Sequence, residues 1–226
     1  PILLEALNRV QSATSLRKLL RDPIGYLWSY AFGWDMPALE EEPLLLNAMD
    51  YGSLVHQILE QATHKLEGGK GLSSSNSKEI QRAVDTATDD IAAFWEQEVP
   101  VPPLAIWKRC QKSARDMALE ALMFQDNPLS GQCSWPEVPF GKANFSEDET
   151  RELPWDPCQK VHIPGTDICI YGTIDRLDLS REEQVARVTD YKTGKVPKKP
   201  AEYQLRGGSE LQRCLYAYAV HALVGE

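Results

Sequence analysis

Along the first half of the chain apolar residues return every three or four positions. Leu3, Leu7 and Val10, then Leu16, Leu19 and Leu20, carry helical spacing to about Phe32, with Ser12 and Ser15 as candidate caps and Asp22-Pro23 as a breaker, so helix, break, helix is expected. Met36 to Pro43 reads as a loop rich in Pro and Glu. From Leu44 to Leu66 the pattern resumes through Leu54, Val55, Ile58 and Leu59, with His56 inside that helix. Gly68 to Ser77 is a connector whose GGKG run lacks the G-x-x-x-x-G-K-[ST] spacing that cradles phosphates. Lys78 to Gln97 and Ile106 to Phe124 are expected to be two further helices, separated by a turn at Pro100 to Pro103.

Beyond Pro128 the texture changes to short runs divided by turn residues. Ser134 to Lys142, Gln159 to Ile163, Ile168 to Leu179 and Val185 to Lys192 read as strands of one sheet. The last two flank a charged turn, Ser180 to Gln184, and so predict an antiparallel hairpin. Glu210 to Val224 returns to helix. The expectation is an α/β domain with a mixed central β-sheet flanked by helices. It runs over 1–226 as one domain, 1–128 mainly helical and 129–226 holding the sheet and the catalytic core.

Composition sharpens this only in part. A chain of 226 residues, 42% of them hydrophobic, is long enough for one sizeable core. It begins at Pro1 and stops at Glu226 after an apolar helical run, which suggests a piece of a longer polypeptide. No apolar stretch approaches the roughly 20 residues that span a bilayer, and the start lacks the basic and apolar regions of a signal peptide. A cytoplasmic, intracellular protein with no membrane association is the expectation. Cys110, Cys133, Cys158, Cys169 and Cys214 include no C-x-x-C pair and are read as reduced thiols. The net charge of −9 argues against a protein that coats nucleic acid by bulk electrostatics. Lys192, Lys195, Lys198, Lys199 and Arg206 nevertheless make a local basic cluster, able to steer a phosphate backbone.

The hairpin carries the candidate chemistry. Asp190 and Lys192 stand two apart on one strand and project from the same face, and Asp175 sits on the adjoining strand. Two carboxylates and an ammonium then converge. Metal-assisted phosphodiester hydrolysis needs this set: hard oxygen ligands for Mg²⁺, and a lysine to act on the attacking water and offset phosphate charge. A bare D-x-K triplet is more often a solvated strand face; its pairing with Asp175 across a short turn is more specific.

Four motifs in order extend the pattern: Gly52-Ser-Leu-Val-His56, Gly172-Thr-Ile-Asp-Arg-Leu-Asp178, Asp190-Tyr-Lys-Thr-Gly194 and Gln212-Arg-Cys-Leu-Tyr216. Ser134-Trp-Pro-Glu-Val-Pro-Phe140 and the helix-turn at Pro23 add to them. In these residues the chain resembles the RecB-like nucleases of the PD-(D/E)XK superfamily, the AddB/RecB type of nuclease domain found in helicase-nuclease complexes. The matches run from about Ser15 to Ala219.

The resemblance implies a restriction-endonuclease-like core and a Mg²⁺- or Mn²⁺-dependent deoxyribonuclease, an exonuclease of DNA repair and recombination. Its partners would be DNA, as single strands or duplex ends, and a helicase domain or subunit. It implies that Asp175 and Asp190 bind the metal through their side chains, Tyr191 through its carbonyl, and His56 as a nearby ligand. Lys192 would act on the nucleophilic water, Gln212 and Tyr216 would contact the active centre or the scissile strand, and Arg176 would support the carboxylates or a phosphate. Some relatives hold an iron-sulfur cluster through a cysteine before the proline of the opening helix-turn. Asp22 stands there, and no iron-sulfur cluster is supported.

Blander readings stand beside these. A lone histidine amid Leu54, Val55, Ile58 and Leu59 is commonly a core residue, and only the family pattern favours His56 as ligand. Glu137 and Glu60 are left outside the site, and His64, His162 and His221 match no motif. Gln212 and Tyr216 could be plain helix residues. The rivals to a nuclease are a catalytically silent DNA-binding or scaffold module, against which the intact Asp175, Asp190 and Lys192 count, and a hydrolase of small phosphoesters.

Overall fold

A computed structural model describes residues 2–34, 44–124, 128–142, 152–194 and 211–225. The elements in order are α1 (Ile2–Asn8), β1 (Gln11–Ser12), α2 (Ala13–Arg21), α3 (Pro23–Tyr26), a π-helical turn (Leu27–Ala31), α4 (Ala48–Glu67), a 3₁₀ turn (Leu72–Ser74), α5 (Ser77–Glu98), α6 (Leu104–Met123), β2 (Cys133–Phe140), β3 (Val161–His162), β4 (Cys169–Ser180), β5 (Val185–Thr189) and α7 (Leu211–Val224). The strands make a mixed five-stranded sheet, with β4 pairing parallel to β1 and antiparallel to β3 and β5. This is the mixed sheet with flanking helices of the restriction-endonuclease-like fold.

The chain divides into two compact units, one of Pro1–Ala38, Val138–Ile174 and Pro197–Glu226, the other of Leu39–Glu137 and Asp175–Val196. In the first, Ser12 caps α2 through a reciprocal capping box with Ser15, and Asp22 caps α3 with Pro23 in its first turn, so the breaker also starts the next helix. Between α1 and α2 lies the unforeseen β1, too short for any periodicity to reveal, paired at Gln11 with Ile170 and at Ser12 with Tyr171. Gly172 on β4 is a true close approach. A Cβ there would come within 2.9 Å of both Phe140 and Tyr216, whose rings meet edge to face at 5.5 Å.

The second unit is built on α4, α5 and α6, whose apolar stripes close over Leu54, Ile58, Ala62, Val84, Trp95, Trp107 and Leu122. Asn47 caps α4, which therefore starts at Ala48 and not at Leu44, and Asn76 with Glu79 forms the capping box of α5. Trp95 and Trp107 stack in this core while their indole N–H groups donate to Gln57 (2.6 Å) and Glu96 (2.7 Å). The expected antiparallel β4–β5 hairpin is present, paired from Ser180 opposite Val185 to Arg176 opposite Thr189. Its tip is tied down by Ser180, whose hydroxyl donates to the Ser130 carbonyl at 2.5 Å.

No helix among the described residues is long and apolar enough to cross a membrane. All five cysteines are free thiols. Lys195, Lys198, Lys199 and Arg206 of the basic cluster lie outside the described residues, as does the loop of residues 36–43.

Candidate metal centre

Three segments within the second unit bring the candidate side chains together. Helix α4 offers His56 beside the buried Leu54, Val55, Ile58 and Leu59, so the imidazole lies at the edge of a rigid core. β4 contributes Asp175, whose side chain is 11% exposed, and β2 contributes Glu137. His56 Nδ1 is 3.5 Å from Glu137 Oε1 and 3.7 Å from Asp175 Oδ2. One ligand atom from each lies within 4.8 Å of the others, close enough for a single ion to bridge all three.

Glu137, left outside the site on sequence grounds, is thus part of the cluster. It occupies the left-handed region at φ 48°, between the buried Pro136 and Val138. That conformation costs a non-glycine residue roughly 1–2 kcal/mol, and it stands at the residue whose carboxylate faces His56. The similarity of the β2 segment to an E-x-P-F strand was the available sequence signal; the backbone twist leaves none.

Strand β5 stops at Thr189, so Asp190, Tyr191 and Lys192 follow it outside regular secondary structure and are not the strand end that was expected. The reason is local: the Tyr191 N–H donates to the side chain of Asp175 (Oδ2, 2.6 Å) in place of a ladder carbonyl. Lys192 and Asp190 still share a side, since Lys192 Nζ donates to Asp190 Oδ1 at 2.7 Å. The Tyr191 carbonyl lies 3.2 Å from His56 Nε2, whereas the two carboxylates face Nδ1. Arg176 donates from Nη1 to the Tyr191 hydroxyl at 2.7 Å. Gln212 and Tyr216 belong to α7 of the other unit, where the buried Tyr216 packs on Phe140.

The electrostatics follow from crowding acids at a half-buried site. Burial is the main cause that pushes the Asp175 carboxyl up to about 6; the charges of Asp190 and Glu137 add to it, while His56 and the Tyr191 N–H oppose. His56 is held above its ordinary value, chiefly by the Glu137 carboxylate against the opposing effect of burial, with Asp175 helping. One imidazole and two carboxylates converging at a half-buried site suit a divalent cation, whose charge would relieve the burial and repulsion that Asp175 meets there.

A sequence model of the PD-(D/E)XK nuclease superfamily matches residues 11–226, and the chain belongs to that superfamily, whose members hydrolyse phosphodiester bonds with divalent metal ions. No curated protein matches it in sequence.

Proposed function

We propose that this is a RecB-like, Mg²⁺- or Mn²⁺-dependent deoxyribonuclease, an exonuclease acting in DNA repair and recombination beside a helicase domain or subunit inside the cell. The observation that carries the reading is the convergence of His56, Glu137 and Asp175 donor atoms close to the Asp190–Lys192 pair. A divalent ion bound there supplies positive charge to the phosphodiester and acidity to water. His56, Glu137 and Asp175 would hold it, with Asp190 and the Tyr191 carbonyl as the further ligands that the family pattern implies. Asp190 orients Lys192, and the exposed ammonium orients the attacking water and offsets charge on the phosphate oxygens. The resemblance gives Gln212 and Tyr216 of α7 a role on the DNA strand.

The test is digestion of end-labelled single- and double-stranded DNA by the wild-type chain, Asp190→Ala and Lys192→Ala, with Mg²⁺, Mn²⁺ or EDTA. Metal-dependent cutting lost in both variants is expected, with mononucleotides or short oligomers released from an end. Internal cuts in circular DNA would overturn the exonuclease assignment, and a folded, metal-binding wild type that leaves every DNA intact would overturn the nuclease.

A further inference from the structure

Asp178 is fully buried, 0% exposed, yet neither of its carboxylate oxygens has a hydrogen-bond partner among the described residues. Among the described residues its one close counter-charge is Arg176, two residues earlier on β4, with Nε 3.1 Å from Asp178 Oδ1 in ion-pair contact but off the line of a hydrogen bond. Arg176 is itself buried. Burying two charges with so few hydrogen bonds is a poor source of stability, because desolvation offsets the attraction and apolar side chains of like size commonly do as well or better. The pair therefore calls for another explanation.

What it fixes is a guanidinium. Arg176 extends from Asp178 to the Tyr191 hydroxyl, donating at 2.7 Å, with its Cζ 5.7 Å from the centre of the same ring. Tyr191 is thereby held at its far end while its peptide serves the candidate centre at the near one. The N–H meets Asp175 Oδ2 at 2.6 Å, the carbonyl faces His56 Nε2 at 3.2 Å, and the ring stands edge-on to the imidazole at 6.2 Å. Both side chains that the peptide touches belong to the three-residue cluster. Past Thr189 no ladder fixes this segment, so the tether on the tyrosine hydroxyl replaces the missing strand pairing.

We propose that Asp178, Arg176 and the Tyr191 hydroxyl form a buried strut that orients the Tyr191 peptide and, through it, sets Asp175 and His56 for divalent cation binding. All three are positioning residues. The inference rests on reading the His56–Glu137–Asp175 cluster as the metal centre of the proposed nuclease. Outer partners that orient metal ligands typically govern affinity by about 10- to 100-fold.

The experiment is a Mn²⁺ binding isotherm with a thermal melt for the wild-type chain and four variants. Tyr191→Phe removes only the hydroxyl. The double variant Arg176→Met/Asp178→Leu removes both buried charges and orphans neither. Tyr51→Phe, which loses a tyrosine hydroxyl bonded to Ser113 elsewhere in the same unit, is the control, and Asp175→Asn removes a ligand. Tyr191→Phe and the double variant are expected to weaken Mn²⁺ binding by about tenfold, with the double variant melting no lower than wild type and Tyr51→Phe binding as wild type. A loss under about threefold in either strut variant, well below the usual effect of an outer partner, overturns the strut. If wild type binds Mn²⁺ no better than Asp175→Asn, the strut and the metal centre both fall. If it binds Mn²⁺ but cuts no DNA, only the nuclease reading falls, and the isotherms still decide the strut.

Discussion

Asp175→Asn should make the protein more stable while abolishing its metal centre. Burial pushes the Asp175 carboxyl from an ordinary 3.8 to about 6, which corresponds to about 3 kcal/mol against the charged form. The sign follows from proton counts. Between pH 4 and 6 the folded state keeps a proton that the unfolded chain has lost, so stability from this group falls as pH rises through that window and stays lost above it. Asparagine never carries the charge, and its side-chain oxygen can still accept from the Tyr191 N–H. In EDTA at pH 8 the variant should therefore gain up to about 3 kcal/mol, or about 6–12 °C in Tm for a chain of this size, and almost nothing at pH 4. His56 keeps Glu137, the largest cause of its own upward shift, so its loss of Asp175 takes back little at pH 8. Differential scanning calorimetry at the two pH values, with EDTA and with Mn²⁺, measures this. A variant that melts at or below wild type at pH 8 in EDTA refutes the claim that Asp175 is a strained charge, and Mn²⁺ should raise the melting point of the wild type alone.

Two further substitutions separate backbone from chemistry. Glu137→Gly should relieve the left-handed conformation at φ 48° and leave stability equal or higher by about 1 kcal/mol, while Mn²⁺ affinity falls; urea titration and a metal isotherm on the same sample read both, and unchanged affinity would remove Glu137 from the centre. Gly172→Ala places a methyl 2.9 Å from Phe140 and Tyr216, an overpacking that should cost about 1–3 kcal/mol; a urea midpoint equal to wild type would show that the two rings yield freely.

Much of this was legible because each signal was local. The helical trio followed from stripes such as Leu54, Val55, Ile58 and Leu59, and the β4–β5 hairpin from two apolar runs around a charged turn. The cap at Ser12 and the break at Asp22-Pro23 could be read for the same reason, whereas the role of Asp22 as cap of α3 could not. What stayed hidden depended on tertiary neighbours. β1 is two residues long and exists only because β4 runs beside it, and the end of β5 at Thr189 is set by a side chain of the opposite strand taking a backbone N–H. Asp175, Asp190, Lys192 and His56 were named from spacing and resemblance. Glu137 was not promoted, since no pattern of residue types announces that one strand residue will turn to positive φ and point its carboxylate at a histidine.

The arrangement of charges explains why the ligand set and the lysine belong in one account. Glu137, Asp175 and Asp190 would repel one another if all were ionised, and the protein offsets them with its own groups: Lys192 bonded to Asp190, a proton favoured on His56 beside Glu137, and a proton retained on Asp175 to about pH 6. A divalent cation brings two positive charges to the same place and requires neutral imidazole and ionised carboxylate. Its uptake near pH 6 should therefore release protons from His56 and Asp175 and weaken the hold of Asp190 on Lys192, freeing the ammonium as the site loads. Mn²⁺ calorimetry at pH 6 in two buffers of different ionisation enthalpy measures the protons released. A positive number that shrinks toward zero by pH 8 is expected. Identical heats in the two buffers at pH 6 would mean that the carboxylates and the histidine do not share their protons with the metal, and that Lys192 is kept from its task by something other than competition for Asp190.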